Sequence, residues 1–363
     1  MPTNKPSEVI LPPLSTKFDP LSTTQLVVVT YWVLNALILI IGTPIVASIL
    51  LYLYPLFVFP LIVAYCVWAY GIEGNIHNKG GWGRNYWGWG TWFSAAPVWH
   101  HFRHYFQAHL VKTADLPSDR NYIFSIHPHG VYLLGIFANI TGNRKVFYET
   151  FGKGLSLRLA TLPINFRLPG WREFFLSLGG IGVDRKSLEY VLTEKSKSDP
   201  TKGAGNIITL VVGGAEEFTV MEPKTMDLVL EKRKGFVKLA LTTGASLVPV
   251  ITFNENDTWK QSQAEWVKKV NAFTKKIGGF AFPAIEGRYG IPVIPLLPSW
   301  LLSLDPQFML RELLLQLKNK LILSTRDTSK NYLNCTKRTR MTFSRTVSVI
   351  CASSSKVCLI SCF

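Results

Sequence analysis

The sequence predicts an α/β domain, a central sheet flanked by helices, carried behind an N-terminal transmembrane helical hairpin. Three observations predict it. No charged residue lies between Asp19 and Glu73. Three short, nearly continuous apolar runs, Asn121–Ile126, Asn206–Val212 and Ser246–Phe253, read as strands covered on both faces. Helical patterns at Trp171–Leu178, Leu188–Lys195 and Lys234–Thr243 complete an alternation of strand and helix that argues α/β.

Residues 1–24 read as a cytosolic N-terminal segment and 25–72 as the hairpin. Leu26–Ile41 forms one apolar stretch and Ile45–Tyr70 a second, interrupted by Pro55 and Pro60. With its flanks, each reaches the roughly 17–25 residues that cross a bilayer core. Gly42-Thr43-Pro44 is the expected tight turn. Tyr31, Trp32, Tyr65, Trp68 and Tyr70 fall near the outer ends, where interfacial aromatics belong. Lys5 and Lys17 precede the hairpin and Lys79, Arg84 and Arg103 follow it, which places both ends in the cytosol. The alternative is a buried hairpin of a soluble core, but such helices rarely lack charge on every face.

Residues 73–119 form a Gly/Trp-rich segment containing Trp82, Trp87, Trp89, Trp92 and Trp99. It suits the headgroup boundary or a surface packed on the following domain. Residues 120–323 form the α/β domain, with a further helix pattern at Met309–Leu323. Residues 324–363 form a tail with seven Lys/Arg against one Asp and no period, to which no fold role is assigned.

Composition narrows the function classes. Apolar residues make up 48% of the 363 and charged residues only 17%, which favours membrane association. The net charge of +16 suits anionic headgroups or a phosphate-bearing ligand. Nucleic acid is not expected, since no recognised module is present. Of five cysteines, Cys335, Cys351, Cys358 and Cys362 crowd the last 29 residues and Cys66 sits in an apolar run. No zinc-spaced pair exists, and the thiols read as reduced.

All seven histidines lie between His77 and His129. The most informative group, His127-Pro128-His129-Gly130, follows directly on a strand, where α/β proteins place reactive groups. A histidine near its ordinary pKa of about 6.5 can take a proton from an alcohol at neutral pH. Two other readings stay open: a metal pair needing a third ligand, for which His100 and His104 are the only candidates, and a structural role for both rings. Gly213-Gly214-Ala215-Glu216-Glu217 also follows a strand, and can bring amides and carboxylates to a substrate or be an ordinary turn. Lys232-Arg233-Lys234-Gly235, at a helix start, can hold phosphates or be a solvated face. Arg172-Glu173 and Asp184-Arg185 read as ion pairs.

The order of these blocks resembles the type-2 diacylglycerol acyltransferase family, which includes monoacylglycerol acyltransferases and some wax synthases. The resemblance is carried by Tyr105-Phe106, Leu110–Leu116, Arg120–Phe124 and His127–Gly130. It continues through Asn165–Arg167, Arg172–Phe174, Val211–Ala215 with Glu217, Arg233–Ala240, Leu247–Pro249, and Phe253 with Glu255-Asn256. It covers about residues 75–260.

The resemblance implies an α/β acyltransferase-like domain in a multi-pass endoplasmic-reticulum membrane protein with cytosolic termini and access to lipid droplets. It implies transfer of an acyl group from acyl-CoA, a co-substrate, to diacylglycerol, with no bound cofactor and no metal. Monoacylglycerol or wax-alcohol transfer is the alternative, as is a catalytically impaired lipid-droplet or membrane protein of the same fold. A homo-oligomer is left open. The expected catalytic residues are His129 as base, with His127 and Glu217. Gly130, Arg172, Glu173, Gly213, Gly214, Arg233 and Lys234 are the expected substrate-binding residues. The chain departs from the family at Gln107, where a proline is usual, and at Tyr289 after Gly287-Arg288, beyond which the family's later block is not recognisable.

Overall fold

The structure is a computed structural model that describes residues 23–82, 93–106, 108–112, 116–193, 205–223, 228–229, 233–252, 254–262, 264–278, 284–292, 294–296, 348–349 and 359–362. The expectations for Trp87, Trp89, Trp92, Met309–Leu323, the N-terminal lysines and most of the tail lie outside them.

The first helices are α1 (Thr23–Leu37), α2 (Thr43–Leu53) and α3 (Pro55–Cys66), with one-turn π segments at Ile38–Gly42 and Val67–Ile72. The expected turn at Gly42-Thr43-Pro44 is not there, because the chain stays helical through it. Pro44 sits in the first turn of α2, a position at which proline is compatible with helix. The helices break instead at Tyr54, whose φ of −135° and ψ of 57° are non-helical. A residue before proline is disfavoured in the α region, and Pro55 then starts α3. Among the described residues one helix, the 25-residue Pro55–Lys79, is long and apolar enough to cross a membrane. Thr23–Asn35 and Ile38–Leu53 qualify only as a pair bent by 50°.

Of the aromatic residues expected at a membrane boundary, Trp32, Tyr65, Trp68 and Tyr70 contact the domain, whereas Tyr31 is exposed. Trp32 packs edge-on against Trp99, Phe102 and Phe137, with ring centroids 4.6–5.5 Å away. Val29 and Val33 of α1 are buried in the same aromatic core. Tyr65 and Tyr70 donate hydrogen bonds to Glu173 and to the Arg167 carbonyl. The uncharged apolar stretch located a helical region but misplaced its break, and did not say which partner the aromatic faces would meet. Trp82 and Trp99, from the Gly/Trp-rich segment, are also core residues.

The domain opens with α4 (Val98–Tyr105), β1 (His109–Lys112) and β2 (Tyr122–His127). A short α5 (Leu134–Ile136), α6 (Arg144–Phe151), β3 (Ser156–Thr161), α7 (Trp171–Ser177) and β4 (Gly180–Gly182) follow. Next come α8 (Arg185–Leu192), β5 (Asn206–Val211), α9 (Gly214–Thr219), α10 (Gly235–Thr243) and β6 (Ser246–Thr252). β7 (Lys260–Gln261), α11 (Glu265–Gly278), β8 (Ile285–Glu286), β9 (Ser348–Val349) and β10 (Leu359–Cys362) complete the described elements.

Five parallel strands form the sheet centre in the order β6-β2-β5-β3-β4. All six residues of β2 are buried, as expected of a strand covered on both faces. β3 and β4 escaped the sequence reading because Ser156–Thr161 mixes Arg and Ser with its apolar residues and Gly180–Gly182 has only three. Beyond β6 the sheet continues through β10 to β1. The tail, given no role from sequence, thus supplies a strand beside β6.

Caps fix the helix starts. Asp184 accepts from the Ser187 N–H at the head of α8, and Asn143 does the same for Val146 at α6. Because β5, β2 and β6 are parallel, their carboxyl ends share one edge, with Val211 opposite Ile126 and Ile251 opposite His127. The loops that follow carry the histidine motif, the double glycine and Glu255. The aromatic core that holds α1 includes Val131, Phe218 and Trp259 from those loops.

Candidate active site

The site is built where the continuous apolar run of β2 ends. His127 is the last residue of the strand and is 3% exposed. His129, two residues on, is half-buried. Its Nδ1 lies 2.8 Å from the Gly130 carbonyl. A carbonyl only accepts, so Nδ1 carries the proton in this contact and Nε2 keeps its lone pair. Among the described residues Nε2 makes no hydrogen bond.

Glu217 stands in α9, directly after the double glycine, and is 2% exposed. Its carboxylate accepts the His129 backbone N–H at 2.9 Å and the Val229 N–H at 3.2 Å. It lies 3.9 Å from Nδ1 of His127, too long for a hydrogen bond but close for a charge. Among the described residues neither ring nitrogen of His127 has a hydrogen-bond partner. Gly213 is required for this arrangement, because a Cβ there would collide with the Glu217 carboxylate. Gly214 has a φ of +58° with open space on the Cβ side.

The other expected residues fall into two places. Arg233 reaches the Gly213 carbonyl at 3.2 Å and the Glu216 carboxylate at 3.0 Å, so it braces the double-glycine turn. Lys234 is exposed at the head of α10. Arg172 and Glu173 instead join the domain to the end of the apolar helix. Arg172 is 1% exposed and pairs with Glu73 at 2.6 Å and with Glu173 at 2.7 Å. Glu173 also accepts from the Tyr65 hydroxyl and the Gly170 N–H. Their hydrogen bonds go to this junction and not to the histidine motif. Asp184 serves as the α8 cap, while Arg185 pairs with Glu189, one helical turn on, and not with Asp184.

Sequence reasoning missed Glu255 as a site residue. It opens the turn after β6, is 1% exposed, and accepts the N–H groups of Leu134 at 2.7 Å and Gly135 at 3.0 Å. Burial pushes its carboxyl up to about 7, against the opposing pull of those two amides. Gly130, with a φ of +57°, lies so close that a Cβ would collide with the Glu255 side chain. Leu133 and Asn254 both hold positive φ, at 55° and 58°, on either side of this contact. Such backbone is uncommon outside glycine and concentrates at functional loops. The signal was present as an acidic residue two positions past a predicted strand.

Among the described residues no group of three or more His, Cys, Asp or Glu side chains could hold a metal ion. His100 and His104 lie side by side on α4, with ring centroids 6.3 Å apart, and Nδ1 of His104 is 2.7 Å from the Gln25 amide of α1.

Fold and loop together define an α/β protein with an apolar helix at its N-terminal side and an imidazole presented by the loop after its central strand. A model of the diacylglycerol acyltransferase family matches residues 51–300, and the chain belongs to that family. Human 2-acylglycerol O-acyltransferase 1 is 37% identical over 270 residues, covering 73% of this chain and 74% of the relative. Human diacylglycerol O-acyltransferase 2 is 37% identical over 271 residues, covering 73% and 64%. Diacylglycerol O-acyltransferase 2A of Umbelopsis ramanniana is 40% identical over 200 residues, covering 54% of each. The motif resemblance is thereby established as kinship. No solved structure matches the chain.

Proposed function

We propose that this chain is an acyl-CoA:diacylglycerol O-acyltransferase that uses His129 as general base. The observation that carries the reading is the half-buried His129 ring, with Nδ1–H tied to the Gly130 carbonyl and Nε2 left with its lone pair. The acceptor hydroxyl gives its proton to Nε2 as its oxygen attacks the thioester carbonyl. A tetrahedral oxyanion forms, held by amide donors of the neighbouring turns. It collapses to the ester, the C–S bond breaks, and the CoA thiolate takes the proton back from the imidazolium. The thioester is already activated, so no protein nucleophile enters.

Glu217 holds the backbone at His129 and lends negative charge to the His127 side of the site. The double glycine brings backbone to the same edge, and Arg233 and Lys234 put positive charge beside it for the CoA phosphates. Arg172 and Glu173 act on substrate indirectly, by seating the domain against the membrane helix. Pro55–Lys79 crosses the endoplasmic-reticulum bilayer and the bent pair Thr23–Asn35 with Ile38–Leu53 forms the second crossing, so that both termini are cytosolic. Lipid acceptor then reaches the domain from the bilayer side, and the product is delivered toward lipid droplets.

A second reading, transfer to a monoacylglycerol, is favoured by one observation: 2-acylglycerol O-acyltransferase 1 is as similar to this chain as diacylglycerol O-acyltransferase 2, at 37% identity. One assay separates them. Microsomes bearing the full chain receive labelled acyl-CoA with diacylglycerol, monoacylglycerol or fatty alcohol in turn. Triacylglycerol is the expected product, and label in diacylglycerol alone moves the protein to the second reading. No product from any acceptor leaves a non-catalytic membrane protein of the same fold. His129→Ala is expected to abolish product while the protein stays in the membrane fraction. Near-normal turnover would remove His129 from the mechanism.

A further inference from the structure

The loop between Gly130 and Gly135 carries the one backbone group that, among the described residues, orients the His129 ring, the Gly130 carbonyl, and something must hold that loop. Its own sequence does not. Gly130 has no side chain, and Leu133 adopts φ +55°, an unfavourable conformation for a γ-branched residue. The hold comes from β6, the strand beside β2. Asn254, at φ +58°, turns the chain so that Glu255 enters the core. One carboxylate oxygen accepts the Leu134 N–H at 2.7 Å and the other accepts the Gly135 N–H at 3.0 Å. The side chain of Glu255 also lies flush against Gly130, where any Cβ would collide with it.

The carboxylate is fully buried and forms no ion pair among the described residues. A buried carboxylate held only by amides costs the fold stability that an apolar residue would not. A helix cap alone is an unconvincing reason to keep it, since α5 has three residues.

We propose that Glu255 is the positioning residue of the histidine loop. Its two oxygens pin the amides of Leu134 and Gly135 and its side chain walls Gly130, so the Gly130 carbonyl stays where it holds Nδ1 of His129. It touches no reacting atom. This rests on His129 being the base.

The test uses the full-length protein in microsomes, with Glu255→Gln and Glu255→Asp beside His129→Ala. Gln keeps the shape but turns one acceptor into a donor that faces an N–H. Displacing a base by about 1 Å costs on the order of 10²-fold in rate. Glu255→Gln is therefore expected to lower kcat by about that factor with KM for acyl-CoA unchanged. Asp keeps both oxygens one methylene short of reach, and is expected to lose about tenfold in kcat.

A merely structural defect would also lower the amount of active enzyme, so the pH profile decides. Protonation of Glu255 gives up one acceptor, and its raised carboxyl, at about 7, therefore contributes to the acid limb of kcat/KM. Among the described residues Tyr132 in the loop, His129 before it, Glu217 on α9 and His127 on β2 are titratable side chains at or near the loop, and the Glu255 side presents amides. Glu255→Gln is expected to make the limb shallower and move it to lower pH. Loss of folded protein would scale the profile without moving it. A Gln variant retaining more than half the wild-type kcat, or an unmoved limb, overturns the proposal; if Gln does not accumulate, full activity of the Asp variant does so. If His129→Ala is active, the underlying reading fails first and separately.

Discussion

Arg172→Met tests how the long apolar helix is fastened to the domain. Arg172 is 1% exposed, and its guanidinium bridges Glu73, 4% exposed, and Glu173, 26% exposed, at 2.6 and 2.7 Å. Its Cζ sits 5.6 Å from the Trp68 ring centroid. Methionine fills comparable space but removes the guanidinium from Glu73, to which the Trp82 indole N–H also donates at 3.1 Å. Breaking a buried pair by removing one partner costs about 3–5 kcal/mol, mostly the penalty of the stranded charge. At roughly 2–4 °C per kcal/mol for a domain of this size, the thermal midpoint should fall by at least about 6 °C. The assay is thermal unfolding of detergent-solubilised protein followed by size-exclusion fluorescence.

The same physics predicts a partial rescue. Glu73→Gln together with Arg172→Met removes the stranded charge, so the double variant should be more stable than Arg172→Met alone. A coupling of about 2 kcal/mol is expected, within the usual range for contacting residues. A midpoint for Arg172→Met within about 1 °C of wild type, or effects additive to within about 0.5 kcal/mol, would refute the reasoning.

Two further outcomes follow from the histidine loop. Gly130→Ala meets both a φ of +57° and the Glu255 side chain, and should lose about 10²-fold in activity, whereas Gly152→Ala, at φ +79° with open space, should cost about 1 kcal/mol of stability and leave acyl transfer intact. Equal activity of the two variants in the microsomal assay would count against the close approach at Gly130. The pH dependence of stability also has a definite sign, because the Glu255 carboxyl stands at about 7 folded against 4.5 as its ordinary value. Between those values the folded chain holds a proton that the unfolded chain has released. Its contribution therefore falls as pH rises through the window and is lowest above about 7, by a few kcal/mol in all. Thermal midpoints of wild type and Glu255→Gln at pH 5 and pH 8 should shift relative to each other in favour of Gln at the higher pH, and a constant gap would contradict the burial argument.

The amino-acid sequence determined more of the fold than of the site. Three of the five central parallel strands were legible because β2, β5 and β6 are almost continuously apolar, the pattern forced on a strand with helices on both faces. The histidine block was legible for a related reason, since it begins where that apolar run stops. The double glycine declared itself too, although only the fold shows that Gly213 is small to admit Glu217.

Local patterns carry no record of partners distant in sequence, and there the tertiary structure decided. Arg172 and Glu173 read as an isolated pair, yet 99 residues separate Arg172 from Glu73, its other partner. Trp32 read as a membrane-boundary ring and became part of the core, because amphipathic aromatics satisfy a headgroup layer and an aromatic cluster equally well. The Gly-Thr-Pro turn failed because proline at a helix start is compatible with either a break or a continuation, and the local sequence does not choose between them. Glu255 meets Leu134 across 121 residues of chain only because β6 pairs with β2 in one register. Periodicity and composition are properties of neighbours along the chain, whereas a buried carboxylate is explained only by the atoms that surround it in space.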